Sequence, residues 1–183
     1  MKKITSFEKG FTVLEFLVVL AIIGILIAVA LTGIDLSRER ARDNTRISDM
    51  QNIALSLQQY NDVCREYPYD IYDLNSPSDN GCPNNVTWES FATPILKDGL
   101  MPTDPVDGSQ YSYVGISIYI NSPVCVGYHL GAYLEQEENK LLANDANANS
   151  IPYPICGNNS LLGLDATLPA NANFYDVIVN YNS

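Results

Sequence analysis

The sequence predicts an α+β protein in which one long N-terminal α-helix, from about residue 12 to 60, packs on a small antiparallel β-sheet head. Residues 16–31 form a run without a charged side chain, and neither Pro nor Gly interrupts residues 35–60. Downstream, short β-branched and aromatic segments alternate with turn residues, which is typical of an antiparallel sheet. A length of 183 residues suits one domain with an appendage.

The apolar run at the N-terminus is long enough to cross a membrane. Residues 11–34 number 24 and span roughly 36 Å as a helix, against a hydrocarbon core of about 30 Å. The run contains one acid, Glu15, close to its beginning. A carboxylate in hydrocarbon costs several kcal/mol, so we expect Glu15 to have a function and a partner.

A basic leader ends at Gly10, Phe11 follows, and Glu15 stands four residues further on, before the apolar helix. These residues resemble the pattern of the prepilin family, which includes type IV pilins and the pseudopilins of type II secretion. The resemblance implies that a prepilin peptidase cuts between Gly10 and Phe11 and N-methylates Phe11. It also implies that Glu15 meets the N-terminal amine of a neighbouring subunit during assembly. Many relatives have a Pro near the position of Thr32.

The resemblance implies a structural subunit and no enzymatic activity. The expected partners are copies of the chain and other pilins in a helical filament, the prepilin peptidase and an inner-membrane assembly platform. The precursor would lie in the cytoplasmic membrane, and the head would lie outside the cell in a filament for adhesion, motility or DNA uptake. A pseudopilin role in protein secretion is an alternative, and an uncleaved single-pass membrane binding module and a membrane-tethered hydrolase are alternatives from other classes.

Four segments are predicted along the chain. They are a cleaved leader (1–10), a transmembrane and filament-core helix (11–34), an amphipathic helix (35–61) and a globular acidic head (62–183). In the amphipathic helix, apolar residues recur at steps of three and four, so one side is expected to pack on the head. This stripe consists of Ile47, Met50, Ile53, Ala54, Leu57 and Tyr60.

The charge of the head excludes one class of partner. The chain has a formal net charge of −11, and residues 62–183 contain three basic residues against fifteen acids. Direct binding of nucleic acid is not expected, because Lys and Arg must neutralise the phosphates. The acidity favours solubility and the binding of cations.

The four cysteines are all downstream of the apolar run, which fits an oxidising compartment. Four cysteines allow three pairings, and we favour Cys64–Cys82 with Cys125–Cys156, which close sequence-local loops. The absence of a C-x-x-C spacing argues against a zinc site.

Three strands are expected in the head, at residues 111–120, 125–134 and 174–179, with a hairpin at 121–124 joining the first two. A short helix is expected within residues 86–99 and would end at Gly99. Trp88 is interpreted as a core residue of this region.

A calcium site is predicted in the C-terminal loop region. Residues 145–149 have the Asp-x-Asn-x-Asn spacing of a calcium loop, but the following Gly and the bidentate Glu of an EF-hand are missing. Similarity to the major pseudopilins, many of which bind calcium in this region, supports the prediction. The candidate ligands are Asp145, Asn147, Asn149 and Asp165, with Asp104 and Asp107 as weaker candidates. The single histidine, His129, would carry the hydrolase alternative, but no Gly-x-Ser-x-Gly motif accompanies it.

Overall fold

A computed structural model describes residues 10–31, 34–75, 82–83, 86–119, 122–136, 142, 146–147, 150, 154–156 and 173–179. Two compact units make up the chain, one extending to Glu39 and the other beginning at Arg40. The long N-terminal helical region and a three-stranded antiparallel sheet confirm the predicted α+β class.

Two helical segments account for the predicted long helix. Helix α1 spans Val13–Leu31 and helix α2 spans Ile34–Cys64, while residues 32 and 33, including Thr32, lie outside the described residues. Helix α2 extends four residues beyond the predicted approximate end at residue 60. Arg65 ends it instead, with a φ of 61° and with its N–H still donating to the carbonyl of Asn61 at 2.8 Å.

The apolar stripe of α2 forms one wall of the core of the head. Met50, Ile53 and Leu57 are fully buried, and Ala54 is half-buried. They pack with side chains of the sheet, among them Tyr113 and Leu130. Deleting a large aliphatic side chain from such a core typically costs 2–5 kcal/mol, so these contacts hold the helix and the sheet together.

The sheet has strand order β1-β2-β3, and both pairs of neighbours are antiparallel. Strand β1 is Ser112–Ile116, β2 is Gly127–Tyr133 and β3 is Phe174–Val179. The bounds of β3 are as predicted, whereas β1 and β2 are shorter than expected. Their ladder ends at the pair Ile116–Gly127, so the connection between the two strands is longer than the predicted hairpin.

The segment before the sheet contains less helix than expected. Helix α3 is only Glu89–Ala92, and a 3-10 turn at Thr93–Ile95 follows it. The predicted end at Gly99 is wrong, because Asp98 and Gly99 both have positive φ and form a tight turn between Lys97 and Leu100. Trp88 is fully buried as predicted, and its Nε1–H donates to the carbonyl of Ile71 at 2.9 Å.

Both disulfides of the structure lie in the head, and they join Cys64 to Cys82 and Cys125 to Cys156. The first ties the end of α2 to the loop that follows it. The second lies against β1, where a Cβ on Gly115 would stand 2.8 Å from the sulfur of Cys125. A side chain at that position would therefore displace the disulfide.

An ion-pair network joins α2 to two loops of the head. The guanidinium of Arg46 donates to both carboxylate oxygens of Asp104, at 2.6 and 3.1 Å, and also to Asp43 and Glu135, each at 2.8 Å. The carboxylate of Asp43 is fully buried and accepts the backbone N–H groups of Glu135 and Gln136. Burial lowers the pKa of Arg46, but its hydrogen bonds raise it by more, so this arginine stays charged.

We expect the head to lose stability below about pH 4.5 because of this network. A hydrogen bond from Arg42 and a further one from Arg46 lower the pKa of Glu135 to about 2, and a hydrogen bond from Arg46 lowers the pKa of Asp104. A group with a depressed pKa in the folded state stabilises the fold above its unfolded pKa. That contribution is lost as the pH falls toward the folded pKa.

Fluorescence of Trp88, the single tryptophan of the chain, can follow urea unfolding of the full chain in detergent between pH 6 and pH 3. The unfolding midpoint should fall across this range. A Glu135→Gln variant should show a weaker dependence on pH, and an identical dependence in both proteins would contradict the prediction.

Candidate functional site

The candidate functional site is the beginning of α1 with the residues immediately before it. Gly10 and Phe11 are exposed and lie outside the helix, which begins at Val13. The peptide bond between them is therefore accessible and free of helical hydrogen bonding. Both conditions are needed if a peptidase is to bind the backbone on either side of this bond.

Glu15 lies in the first turn of α1 and has a local partner. The N–H of Thr12 donates to Glu15 Oε2 at 2.9 Å, and the Thr12 hydroxyl donates to the same oxygen at 2.8 Å. In return, the N–H of Glu15 lies 3.2 Å from Thr12 Oγ1. This is a capping box, with Thr12 as N-cap and Glu15 at position N3.

The capping box gives a physical account of how an acid is tolerated at this place. The first N–H groups of a helix lack intrahelical acceptors and carry a partial positive charge. The carboxylate of Glu15 supplies an acceptor and the opposite charge. Sequence reasoning identified Glu15 but missed Thr12, although the pattern Thr-x-x-Glu before an apolar run is a recognisable signal for a helix start.

We expect Thr12→Val to loosen this turn and Thr12→Ser to preserve it. Valine removes the hydroxyl that bonds Glu15, and loss of an N-cap typically costs about 1 kcal/mol. Hydrogen exchange of peptides covering residues 13–16, measured on the full chain in detergent, should be about fivefold faster in Thr12→Val than in the native chain. If Thr12→Ser exchanged as fast as Thr12→Val, the hydroxyl would not be the cause.

The remainder of α1 presents apolar side chains in every direction. All side chains from residue 13 to residue 29 are exposed within the chain, including large ones such as Leu14 and Ile25, which are 73% and 66% exposed. The helical region that begins here is long enough and apolar enough to cross a membrane. Such a surface is stable only against lipid or against other apolar helices.

The N-terminal segment matches the family model of the prokaryotic N-terminal methylation motif over residues 6–31. The chain carries the signature of type IV pilins and pseudopilins. This match confirms the family resemblance inferred from Gly10, Phe11 and Glu15. The motif points to a structural subunit and to a membrane-anchored precursor. No curated protein and no solved structure matches the chain.

Of the four residues predicted to bind calcium, the structure describes only Asn147. Asp145, Asn149 and Asp165 lie outside the described residues. The backbone N–H of Asn147 donates to Asp176 Oδ1 at 2.8 Å. Within the described part of the chain, no three acidic, His or Cys side chains are grouped as metal ligands. Calcium binding therefore stays a prediction.

The weaker calcium candidates have protein partners. The carboxylate of Asp104 accepts from Arg46 and from the backbone N–H of Val106, and the carboxylate of Asp107 accepts from the N–H of Ser109. The bonds from the N–H groups of Val106 and Ser109 stabilise the local turn. The bond from Arg46 belongs to the ion-pair network.

His129 lies between two side chains that sequence reasoning did not connect with it. Its Nε2 is 2.8 Å from Asp176 Oδ2, and its Nδ1 is 2.9 Å from Ser150 Oγ. Asp176 belongs to β3, and Ser150 belongs to the long connection between β2 and β3. No short sequence motif links the three, because strand pairing and a loop crossing bring them together. Ser150, His129 and Asp176 are at most 1% exposed.

Proposed function

We propose that this chain is a pilin, a structural subunit that assembles into an extracellular type IV pilus-like filament. One observation carries the proposal. An exposed apolar helix begins with Glu15 in a capping box, directly after an accessible Gly10–Phe11 bond, within a prepilin methylation motif. The filament would serve adhesion to surfaces, motility or DNA uptake.

Cleavage between Gly10 and Phe11 by a prepilin peptidase would create a cationic amine on Phe11, four residues before Glu15. Two unpaired charges at membrane depth are costly, and an ion pair between them removes most of that cost. In a filament, the amine of one subunit would meet the carboxylate of its neighbour. The apolar sides of the α1 helices would then replace lipid by contacts with one another.

Intact mass measurement of the protein from its native membrane and surface fractions tests this processing. The mature chain should begin at Phe11 and carry one N-methyl group. A mature chain that still begins at Met1 would indicate an uncleaved membrane binding module, and the filament proposal would be abandoned.

The alternative role is that of a pseudopilin in type II secretion, which would also be cleaved and methylated. Deleting the gene for this chain separates the two roles. A pilin predicts loss of surface filaments with normal protein secretion, whereas a pseudopilin predicts loss of secretion. The two disulfides favour the pilin, because a subunit exposed outside the cell benefits from covalent crosslinks.

A further inference from the structure

We infer that His129, Ser150 and Asp176 form a fastener that holds part of the β2–β3 connection across the outer face of the sheet. The strap is defined here as the described residues 146–147, 150 and 154–156 of this connection. The inference is independent of the proposed filament role, because it concerns the head alone.

The strap contacts all three strands of the sheet. The N–H groups of Ala146 and Asn147 donate to Asp176 of β3, and Ser150 contacts His129 of β2. Further along, residues 154–156 make backbone hydrogen bonds to Gly115 and Ser117, at and beside the end of β1. The described residues of the strap therefore contact the central strand and both edge strands.

The fastener lies on the face of the sheet opposite α2. Side chains alternate between faces along a strand, and Tyr128, Leu130 and Ala132 of β2 belong to the core that includes α2. His129 is therefore on the other face, with Asp176 of β3. An antiparallel sheet commonly leaves this face to solvent, but His129 and Asp176 are both buried.

The hydrogen bonds of the fastener satisfy these buried polar groups. Nε2 of His129 contacts Asp176 Oδ2 at 2.8 Å, and its Nδ1 contacts Ser150 Oγ at 2.9 Å, so both ring nitrogens have a polar partner. The second oxygen of Asp176 accepts the N–H of Asn147 at 2.8 Å. Buried polar groups left without these bonds would cost about 1–3 kcal/mol each.

The arrangement has the residue types of a hydrolytic triad, but its topology does not suit hydrolysis. A nucleophilic serine must be hydrogen-bonded to its histidine while a substrate carbonyl reaches it. Here Ser150 lies on the strap and is 1% exposed, whereas His129 lies in the sheet. An opening that exposed Ser150 by lifting the strap would also withdraw it from His129.

The covalent attachment of the strap makes this inference testable. Cys156 is bonded to Cys125, so residues 154–156 stay attached to the head when the polar fastener is broken. Loss of the fastener should therefore release residues 146–147 and 150 locally, while β1 and β2 remain folded. A residue needed only for the core would instead destabilise the whole sheet.

Hydrogen exchange of the full chain in detergent distinguishes the two cases. In Ser150→Ala, peptides containing residues 146–147 should exchange about fivefold to tenfold faster, as expected for one lost hydrogen bond. Peptides of β2 should be unchanged. Ser56→Ala is the matched control, because Ser56 is also buried but lies on α2. Unchanged exchange at 146–147, or equally faster exchange in β2, would overturn the inference.

Two further measurements strengthen the test. Asp176→Ala removes both carboxylate oxygens, which contact His129 and Asn147, so it should release the same peptides as Ser150→Ala. A fluorophosphonate probe, which labels catalytic serines, should not label Ser150 in the native chain. Labelling at Ser150 would mean that the site is open and hydrolytic, and the fastener would be rejected.

Discussion

Replacing Glu15 with alanine is expected to abolish filament assembly while membrane insertion and leader cleavage remain intact. Alanine removes the carboxylate at the beginning of α1 and leaves the cationic amine of Phe11 without a partner in a low-dielectric environment. Leaving one charge of such a pair alone costs several kcal/mol. Because assembly repeats the same contact in every subunit, we expect a loss of filaments by at least about a hundredfold, which corresponds to roughly 3 kcal/mol per contact.

Two further variants separate the charge of Glu15 from its capping role. Glutamine also serves at position N3 of a capping box, so Glu15→Gln keeps an acceptor for the N–H of Thr12 but has no charge. We expect Glu15→Gln to be as defective as Glu15→Ala. Glu39→Ala is the control, since Glu39 lies beyond the apolar run and should tolerate the change.

The amount of filament that each variant assembles is measured by shearing filaments from cells and quantifying them by immunoblot. The mass of the membrane-bound chain shows whether the leader has been cleaved. If Glu15→Gln assembled normally, the capping hydrogen bond would be sufficient and the proposed ion pair would be wrong. If neither variant were cleaved, the defect would precede assembly.

Replacing Arg46 with alanine is expected to destabilise the head by about 3–5 kcal/mol, the usual cost of breaking a buried ion pair from one side. The guanidinium contacts three carboxylates, and one of them, Asp43, is fully buried. Without Arg46, Asp43 retains its backbone donors but loses its cationic partner. The remaining negative charges of Asp104 and Glu135 would then repel it.

Urea unfolding of the full chain in detergent, followed by the fluorescence of buried Trp88, measures this loss. Arg40→Ala is the matched control, because Arg40 is an exposed arginine on the same helix and should change stability by less than about 1 kcal/mol. Equal effects of the two substitutions would show that the network contributes no more than a surface charge.

The elements with a strong local signal were predictable from the sequence. The uninterrupted apolar run and the spacing of Gly10, Phe11 and Glu15 are local, and the family model matches the same segment. The stripe of Met50, Ile53 and Leu57 follows the helical period, and its members are buried against the head. Strand β3 was predicted with correct bounds because its aromatic and β-branched residues lie between Asn173 and Asn180, which are typical turn residues.

Element ends were less predictable because they depend on neighbouring segments. Helix α2 continues to Cys64, whose side chain is buried in the core and bonded to Cys82. Strands β1 and β2 are shorter than their sequence pattern, because a strand extends only as far as its partner pairs with it. The short helix near Trp88 gives way to a 3-10 turn that contains Pro94.

The sequence by itself determined that this chain has a membrane-length apolar helix with a processing motif, an amphipathic continuation and an acidic head. These properties reside in consecutive residues and their periodicity. Only the tertiary structure decided which charged groups are buried together. Arg46 reaches Asp104 and Glu135, and His129 reaches Ser150 and Asp176, across 21 to 89 residues of sequence. Chain topology brings such partners together, and burial then makes their hydrogen bonds necessary.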